Sequence, residues 1–425
     1  MIFINLHNFY DRNIETVANI LFFYLVLPEN PVNSINRNNI MKGIKFMKVF
    51  STPLSLLFSI LIFTLILISD ARADSLLNNI SNENLTVIAH RGACGYLPEH
   101  TLEAKALAHG MNPDFIEQDV ALTKDNVPIV IHDHFLDTVT NVSKVYEKRK
   151  RTDGRYYAID FTWKEICNLT VHERIDIKTG DPVFSDRFPV KNQRTLPLKT
   201  NKTTKYSLLK APSPRAPAFK IPSLEEEIIF IQGLNKSRNK NIGLYVELKA
   251  PWFHRNEGKD IASVVLKLLS KYGYSTKNDK IIIQCFDPLC LKTMKYIHKT
   301  QIPLVQLIAD NSWHETPGID YEKMLTNKGL QKISRYANGV GPWISQLVEK
   351  DKLGSLNISD VVKNAHKNKL IVHPYTARKD SLPDNFKSMK ELLNTLYYKV
   401  KVDGIFSDFP DTAVDFRNTL SKHRK

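Results

Sequence analysis

Cysteine is scarce in this sequence, with four in 425 residues. None of the four forms a Cys-x-x-Cys pair, so the spacing typical of a structural zinc site is missing. An oxidising compartment would allow one or two disulfides, and the sequence leaves their pairing open. A structural zinc centre is therefore not expected.

Acidic residues are fewer than basic ones: the chain has 44 Asp and Glu but 59 Lys and Arg, which gives a net charge of +15. Such a balance raises nucleic acid or an anionic membrane as partners. However, the sequence has neither zinc-finger spacing nor an aromatic-flanked run of the kind found in RNA-binding domains. We therefore expect no nucleic-acid partner, and a basic surface suited to anionic substrates. Peripheral contact with an anionic membrane stays open.

The clearest apolar run near the start of the chain is residues 54–68, which is somewhat short for a membrane-spanning helix. Lysines at 42, 45 and 48 precede it, and Ala71-Arg72-Ala73 follows it as a small-x-small cleavage pattern. The pattern predicts a signal peptide cleaved near Ala73, and a periplasmic or secreted mature chain that begins at Asp74. An uncleaved anchor is the alternative.

The first 40 residues carry no domain signature. They are interpreted as an upstream extension before a start at Met41 or Met47, a choice that the sequence leaves open. No cysteine stands at the cleavage point, so a lipoprotein is not expected. Residues 1–73 are thus assigned to this extension and the signal peptide, and residues 74–425 to a single domain.

Apolar residues make up 43% of the chain, enough for a substantial core. Short apolar strands alternate with helical patterns along most of residues 87–406. The predicted strands begin at Val87, Phe115, Ile242, Ile281, Leu304, Gly339, Leu370 and Gly404. Eight β/α units predict an α/β fold of the TIM (β/α)8 barrel type.

One further strand, Pro128 to Ile131, is too close to residues 115–122 for a parallel crossover. It is predicted to form a hairpin that sets His132 roughly across from Asp119. From Asp137 to Ile221 the periodicity fades, which predicts an inserted subdomain or lid after this hairpin. Residues 191–220 of the insertion carry eight basic residues, no acidic ones and four prolines. This run is interpreted as a solvated face or as a contact for an anionic surface.

Two pairs of charged residues lie at strand ends, where parallel α/β folds carry their catalytic and ligand-binding residues. Glu117 and Asp119 are two positions apart, so both side chains point to one side of a strand. Glu247 and Lys249 repeat that spacing. Two carboxylates at a barrel mouth repel unless a cation lies between them. Three carboxylates, from Glu117, Asp119 and Glu247, predict a divalent metal, and their hard oxygen ligands favour Ca²⁺ or Mg²⁺ over zinc.

His90 and His132 also lie at strand ends and suggest a general acid and a general base. Taken alone, a histidine at a strand end is usually structural, and a Glu-x-Asp pair is mostly a surface strand. Together the charges of these groups nearly cancel. Three carboxylates around a divalent ion leave a net charge of about −1. Arg91 and Lys249 bring the site to about +1, which suits a singly charged phosphodiester.

These residues belong to short motifs spread along the chain: His90-Arg91-Gly92, Pro98-Glu99-His100-Thr101, Glu117-x-Asp119, Thr123-Lys124-Asp125, His132-Asp133, Asp153-Gly154-Arg155, Glu247-x-Lys249, Pro251-Trp252-Phe253-His254 and His373-Pro374-Tyr375-Thr376. Over residues 87–416 the motifs resemble those of the glycerophosphodiester phosphodiesterases, with the closest likeness to the periplasmic, calcium-dependent bacterial branch.

The resemblance implies a barrel with an insertion after the His132 strand, and hydrolysis of glycerophosphodiesters to glycerol 3-phosphate and an alcohol. It implies that His90 and His132 act as general acid and general base. Glu117, Asp119 and Glu247 would hold Ca²⁺, with Mg²⁺ as the second choice, and Arg91 and Lys249 would bind phosphate.

Two departures from the family pattern stand out. Cys94 occupies a position where a small serine-like residue is common, and residues 195–220 are unusually basic and rich in proline. Two rival functions are a related barrel phospholipase acting on intact lipids and a surface binding protein that lost activity. The sequence leaves open the headgroup, the oligomeric state, and whether water or a glycerol hydroxyl attacks phosphorus.

Overall fold

The structure, a computed structural model, describes residues 85–184 and 219–422. Its strands are β1 (Thr86–Ala89), β2 (Phe115–Leu122), β3 (Pro128–Val130), β4 (Gly243–Leu248), β5 (Ile281–Cys285), β6 (Leu304–Ile308), β7 (Gly339–Pro342), β8 (Val348–Lys350), β9 (Leu356–Ile358), β10 (Ile371–Val372) and β11 (Gly404–Ser407). Eight of them run parallel in the order β10-β7-β6-β5-β4-β2-β1-β11.

The ends of this sheet meet. The Asp403 amide donates to Val372 O at 3.0 Å, and the Phe406 amide donates to Pro374 O at 3.1 Å, which joins the β10 edge to β11. The predicted TIM barrel is therefore confirmed.

Helices follow most of the barrel strands. In chain order they are α1 (Leu102–Gly110), α2 (Val142–Val145), α3 (Trp163–Ile166), α4 (Leu224–Arg238), α5 (Pro251–Asn256), α6 (Ile261–Lys271), α7 (Pro288–Tyr296), α8 (Tyr321–Leu325), α9 (Asn327–Ile333), α10 (Val361–Lys367), α11 (Met389–Asn394) and α12 (Pro410–Lys422). Capping residues set the N-termini of several helices. At α1 the Thr101 side chain accepts from the Ala104 amide, and at α4 Ser223 and Glu226 form a capping box.

The sequence pattern predicts helices at 324–336, 358–367 and 389–400, and the observed helices differ from all three. The predicted helix at 324–336 is two helices, α8 and α9, which meet at the N-cap Thr326. Residues 356–358 are a strand that pairs with residues 348–350, so α10 begins only at Val361. The last predicted helix, 389–400, changes from α to π geometry at Thr395.

The hairpin prediction is confirmed. Strand β3 pairs antiparallel with the end of β2, with Val120 opposite Val130, and the Ile131 amide donates to Asp119 O at 2.8 Å. This register places His132 one position beyond the residue opposite Asp119.

The described part of the insertion packs against this hairpin. Its apolar side chains form a separate cluster with Ile129 and Ile131, and Leu136 and Phe161 are fully buried within it. Residues 185–218, which hold most of the basic run, lie outside the described residues, so the interpretation of that run stays a prediction. The domain limits also stay a prediction.

The barrel interior is filled by a layer of six side chains: Ile88, Phe115, Tyr245, Ile282, Val305 and Phe406. The Tyr245 ring packs edge to face on Phe115 and Phe406, with centroids 5.7 and 4.9 Å away. Strand periodicity places Glu117 and Glu247 on the same inward face, two residues closer to the carboxyl end. This layer therefore forms the floor of the barrel mouth.

Among the described residues, no helix combines the length and the apolar character needed to span a membrane. Three of the cysteines, Cys167, Cys285 and Cys290, are thiols rather than disulfide partners.

Candidate active site

Three buried carboxylates cluster at the carboxyl ends of β2 and β4. Asp119 is the direct parallel neighbour of Glu247, and Glu117 lies one inward position below Asp119. One oxygen from each of the three lies within 4.8 Å of the other two. The predicted metal ligands are thus brought together.

The cluster is electrostatically costly without a cation. Burial, followed by repulsion from Asp119 and Glu247, raises the pKa of Glu117 well above its usual value. Burial raises the pKa of Glu247 to about 8 although Lys249 opposes that shift. Burial also disfavours ionised Asp119, but Lys249 and His100 outweigh it and hold the pKa of that carboxyl well below its ordinary range.

Neighbouring donors fix the carboxylates without saturating them. The contacts are Gln284 Nε2 to Glu117 Oε1 at 2.8 Å, the Arg91 amide to Glu117 Oε2 at 2.9 Å, His100 Nε2 to Asp119 Oδ2 at 2.7 Å and Lys249 Nζ to Glu247 Oε1 at 2.6 Å. The second oxygen of Asp119, Oδ1, is buried and has no donor among the described residues. An all-oxygen set with an unsatisfied buried acceptor fits a hard divalent cation.

His90 follows β1 and is oriented by Asp408, which directly follows the last barrel strand. Its Nδ1 lies 2.6 Å from Asp408 Oδ1, and its Nε2 lies 3.7 Å from Glu117 Oε2. Burial and then Arg91 lower the pKa of His90 despite the neighbouring Asp408. The imidazole is therefore neutral near pH 7 and can accept a proton.

His132 follows β3 and has a similar partner. Its Nδ1 lies 2.5 Å from Asp133 Oδ1, while Asp133 Oδ2 accepts from Thr138 at 2.7 Å. Burial, Arg91 and Lys249 lower the pKa of His132 to about 4. Both predicted histidines thus have a carboxylate on Nδ1.

Arg91 and Lys249 supply positive charge to the same mouth. Arg91 adopts a positive φ of 54°, and the next residue, Gly92, has φ 89° and no room for a Cβ beside the Ala104 carbonyl. This turn directs the Arg91 amide at Glu117, while Arg91 Nη1 donates to Glu99 at 2.9 Å. Arg91 Nε is buried without a hydrogen-bond acceptor among the described residues.

Several residues that support the site were not assigned roles from sequence. Asp408 directly follows β11, and a carboxylate at a strand end was a usable signal. Glu99 and His100 lay inside a recognised motif. Gln284 lies on β5 with an inward side chain. Arg174 lies in the insertion, where no periodic pattern identifies it.

A cavity of about 850 Å³ opens beside these groups. His90, Arg91 and Asp408 line it, together with residues 348–351, 355–357 and 381–386. Two of the predicted site residues, His90 and Arg91, therefore face an accessible cavity.

Comparison with known proteins gives consistent matches. The Glycerophosphoryl diester phosphodiesterase family matches residues 90–412. A Haemophilus influenzae glycerophosphodiester phosphodiesterase is 42% identical over 363 residues, which cover 81% of this chain and 93% of the relative. A Treponema pallidum protein of the same name is 36% identical over 347 residues, covering 78% of this chain and 91% of the relative.

Among solved structures, a Silicibacter pomeroyi protein named for the same activity is similar in fold. The TM-score is 0.58 at 21% identity, and the match covers 82% of this chain and 98% of that one.

Proposed function

Because the chain belongs to the glycerophosphoryl diester phosphodiesterase family, it hydrolyses glycerophosphodiesters, and we propose that the carboxylate cluster and the two histidines carry out this reaction. The products are glycerol 3-phosphate and an alcohol. One observation carries the proposal: Asp119 Oδ1 is buried without a donor inside a cluster of three carboxylates.

The ion that we propose for this cluster is Ca²⁺, with Mg²⁺ as the second candidate. Glu117, Asp119 and Glu247 would hold it, since carboxylate oxygens are the ligands that both ions prefer. When bound, such an ion supplies Lewis-acid stabilisation of negative charge on substrate oxygens.

The side chains of the mouth account for binding and proton transfer. Arg91 and Lys249 bind the phosphate and offset the charge that develops in the transition state. Burial lowers the pKa of Lys249, but Glu247 and Asp119 outweigh it and raise that pKa, so the ammonium stays charged. One histidine takes a proton from the attacking hydroxyl through Nε2. The other, protonated when the anionic phosphodiester is bound beside it, donates its Nε2 proton to the leaving alkoxide.

Metal dependence is tested by chelation. EDTA should abolish hydrolysis of glycerophosphocholine, and added Ca²⁺ should restore it. Glu117→Gln should bind Ca²⁺ more weakly by calorimetry, while Glu227→Gln, which changes a buried carboxyl on α4, should bind it normally. Full activity in excess EDTA would contradict the proposal.

The histidine roles are tested by replacement. His90→Ala and His132→Ala should each lower kcat by about 10²- to 10⁴-fold, with little change in calcium affinity. His366→Ala is a matched control, since its Nε2 lies 2.9 Å from Asp403 just before β11, at the opposite end of the barrel. If both site variants keep the wild-type kcat, the assignment is wrong.

We further propose export through a signal peptide that ends near Ala73. Residues 1–84 lie outside the described residues, so the support is the sequence pattern of residues 42–73 alone. N-terminal sequencing of the exported protein should begin within a residue or two of Asp74. An intact Met41 or Met1 terminus in a membrane fraction would contradict cleavage.

A further inference from the structure

Most of the lining of the 850 Å³ cavity has no part in the reaction as described above. It includes residues of the β8–β9 hairpin and residues 381–386, whereas Glu117, Asp119 and Glu247 do not line it. A glycerophosphodiester has a second half, the alcohol, which must extend away from the carboxylates once the phosphate is bound. Because His90 and Arg91 also line the cavity, it adjoins the phosphate-binding groups and can receive that alcohol.

Two indole rings form a corner in this cavity. Trp343 directly follows β7 and Trp313 lies in the loop after β6. Their ring centroids are 5.2 Å apart and their planes meet at 60°. The face of an indole ring is the negative side of its quadrupole and attracts cations. Such a corner offers a favourable contact to a positively charged group.

The charges around the cavity favour the same kind of group. The lining cations are all neutralised by acidic neighbours: Arg91 by Glu99, Lys350 by Glu391 and Arg378 by Asp380. Among the lining carboxylates, Glu349, Asp351 and Asp384 have no ion-pair partner within the described residues. The lining of the cavity is therefore acidic in a chain whose net charge is +15.

We propose that this cavity binds the leaving alcohol and favours cationic amino alcohols, such as choline and ethanolamine. The proposal rests on the hydrolysis of glycerophosphodiesters stated above. It assigns the selection of the headgroup to Trp313 and Trp343, which lie outside the carboxylate and histidine machinery.

Two substrates that differ in charge alone test this subsite. Glycerophosphocholine is compared with its 3,3-dimethylbutyl ester, in which a carbon replaces the quaternary nitrogen. The wild type should show a kcat/KM about three- to thirtyfold higher for the choline ester. Trp313→Leu and Trp343→Leu should each lower this ratio towards one while changing kcat/KM for the neutral ester less than twofold.

The neutral ester reports whether each variant is folded, and Trp163→Leu, in the insertion, should keep the wild-type ratio. A wild-type ratio of one, or equal losses on both esters, would overturn the cationic subsite. An enzyme that hydrolyses neither ester would instead contradict the proposed function.

A separate observation concerns Arg174, which comes from the insertion. Its guanidinium makes two bonds to Glu99, from Nη2 to Oε1 at 2.6 Å and from Nε to Oε2 at 3.1 Å, and one to Asp133 Oδ2 at 2.7 Å. Glu99 in turn accepts from Arg91, and Asp133 contacts His132. One side chain thus joins the phosphate-binding arginine to a catalytic histidine.

We infer that Arg174 is a positioning residue for this reaction, and that the insertion belongs to the catalytic framework. Without its charge, the buried carboxylate of Glu99 and the half-buried one of Asp133 would lack their shared partner. Glu99 would then hold Arg91 more strongly, and Asp133 would be free to turn away from His132.

Arg174→Ala should lower kcat/KM by about 10- to 100-fold, and added guanidinium should restore part of it. Arg155→Ala is the matched control, since Arg155 makes two bonds to buried Asp137, at 2.7 and 2.8 Å, in the same segment. Equal losses in both variants without guanidinium rescue would overturn the inference, because general damage to the insertion would explain them.

Discussion

The two histidines of the site carry the same arrangement from different parts of the chain. In His90 and His132, Nδ1 contacts a carboxylate, at 2.6 and 2.5 Å, so Nε2 is left for the substrate. A carboxylate on Nδ1 fixes both the tautomer and the orientation of the ring. Because burial lowers the pKa of both rings, the carboxylates orient the imidazoles without keeping them protonated near pH 7.

Removing that orientation at His90 gives the first prediction. Asp408→Asn should lower kcat by about tenfold to 10⁴-fold, because the amide can stabilise the wrong tautomer. KM should change much less. Steady-state kinetics with glycerophosphocholine measure both.

Asp411→Asn provides a control in the same stretch of chain. Asp411 accepts from the Tyr96 hydroxyl at 2.6 Å and forms no hydrogen bond with His90 in the described part of the chain. Its kcat should stay within about twofold of the wild type. A wild-type kcat in Asp408→Asn would show that His90 needs no such partner.

Seven residues could be selected from the sequence as candidates for the site because each lies at or next to the end of an apolar run. Alternation along a strand then places Glu117 beside Asp119, and Glu247 beside Lys249. Asp408 could not be paired with His90 from sequence, since 318 positions separate them and only closure of the barrel brings them together. Arg174 lies in an aperiodic segment, so only the folded insertion shows what it contacts.

At the scale of elements, a buried charged pair joins α1 to α4 beneath β2. Lys105 and Glu227 are both fully buried, with Lys105 Nζ 3.3 Å from Glu227 Oε2. Lys105 also donates to Glu117 O and lies 3.2 Å from His100 Nδ1. Burial raises the pKa of Glu227 to about 7, although Lys105 opposes the shift. The lysine is therefore the more connected partner.

This asymmetry gives the second prediction. Lys105→Met should lower the free energy of unfolding by about 3–5 kcal/mol, because it leaves a buried carboxyl and a backbone carbonyl unpaired. Glu227→Gln should cost at least about 1 kcal/mol less, since a carboxyl with a raised pKa gives up its charge easily. Urea unfolding at pH 7 measures both, and an equal or larger loss in Glu227→Gln would contradict the prediction.

The secondary structure could be predicted where apolar periodicity is strong, and the prediction failed where the periodicity is weak. Strands β2, β5 and β6 begin where they were predicted to begin, at Phe115, Ile281 and Leu304, since each is a short apolar run between turns. The β8–β9 hairpin was missed because five of its six residues are at least partly exposed. Such a hairpin carries little periodic signal, yet it forms a wall of the headgroup cavity.

At the scale of the whole molecule, the barrel could be predicted from the count of eight β/α units. The count does not give the packing that makes the barrel stable, which depends on side chains from distant strands such as Phe115, Tyr245 and Phe406. The count also gives no information on the buried polar groups that connect loops to the barrel. One of these, His254, makes the stability of the whole fold depend on pH.

His254 lies on α5 and is held as a neutral ring. Its Nε2 accepts from the Leu122 amide at 3.0 Å, and its Nδ1 donates to Ala250 O at 3.0 Å. Protonation would remove the acceptor, and burial lowers the pKa of His254 to about 4 from its ordinary 6.5. The unfolded chain therefore binds more protons between pH 6.5 and 4, so unfolding becomes easier as the pH falls through that window.

The last prediction follows from this direction of the change in stability with pH. The wild type should lose stability from pH 7 to pH 5, and His254→Gln should lose about 1–2 kcal/mol less over that range, because glutamine keeps a donor and an acceptor but does not titrate.

His366 is the opposite case, since its hydrogen bond with Asp403 raises its pKa; its stabilisation is complete below pH 6.5 and is lost as the pH rises. His366→Gln should therefore lose no less than the wild type on acidification. Urea titrations at fixed Ca²⁺ measure all three proteins, and a His254→Gln curve parallel to the wild type would mean that His254 is not the neutral group that these contacts require.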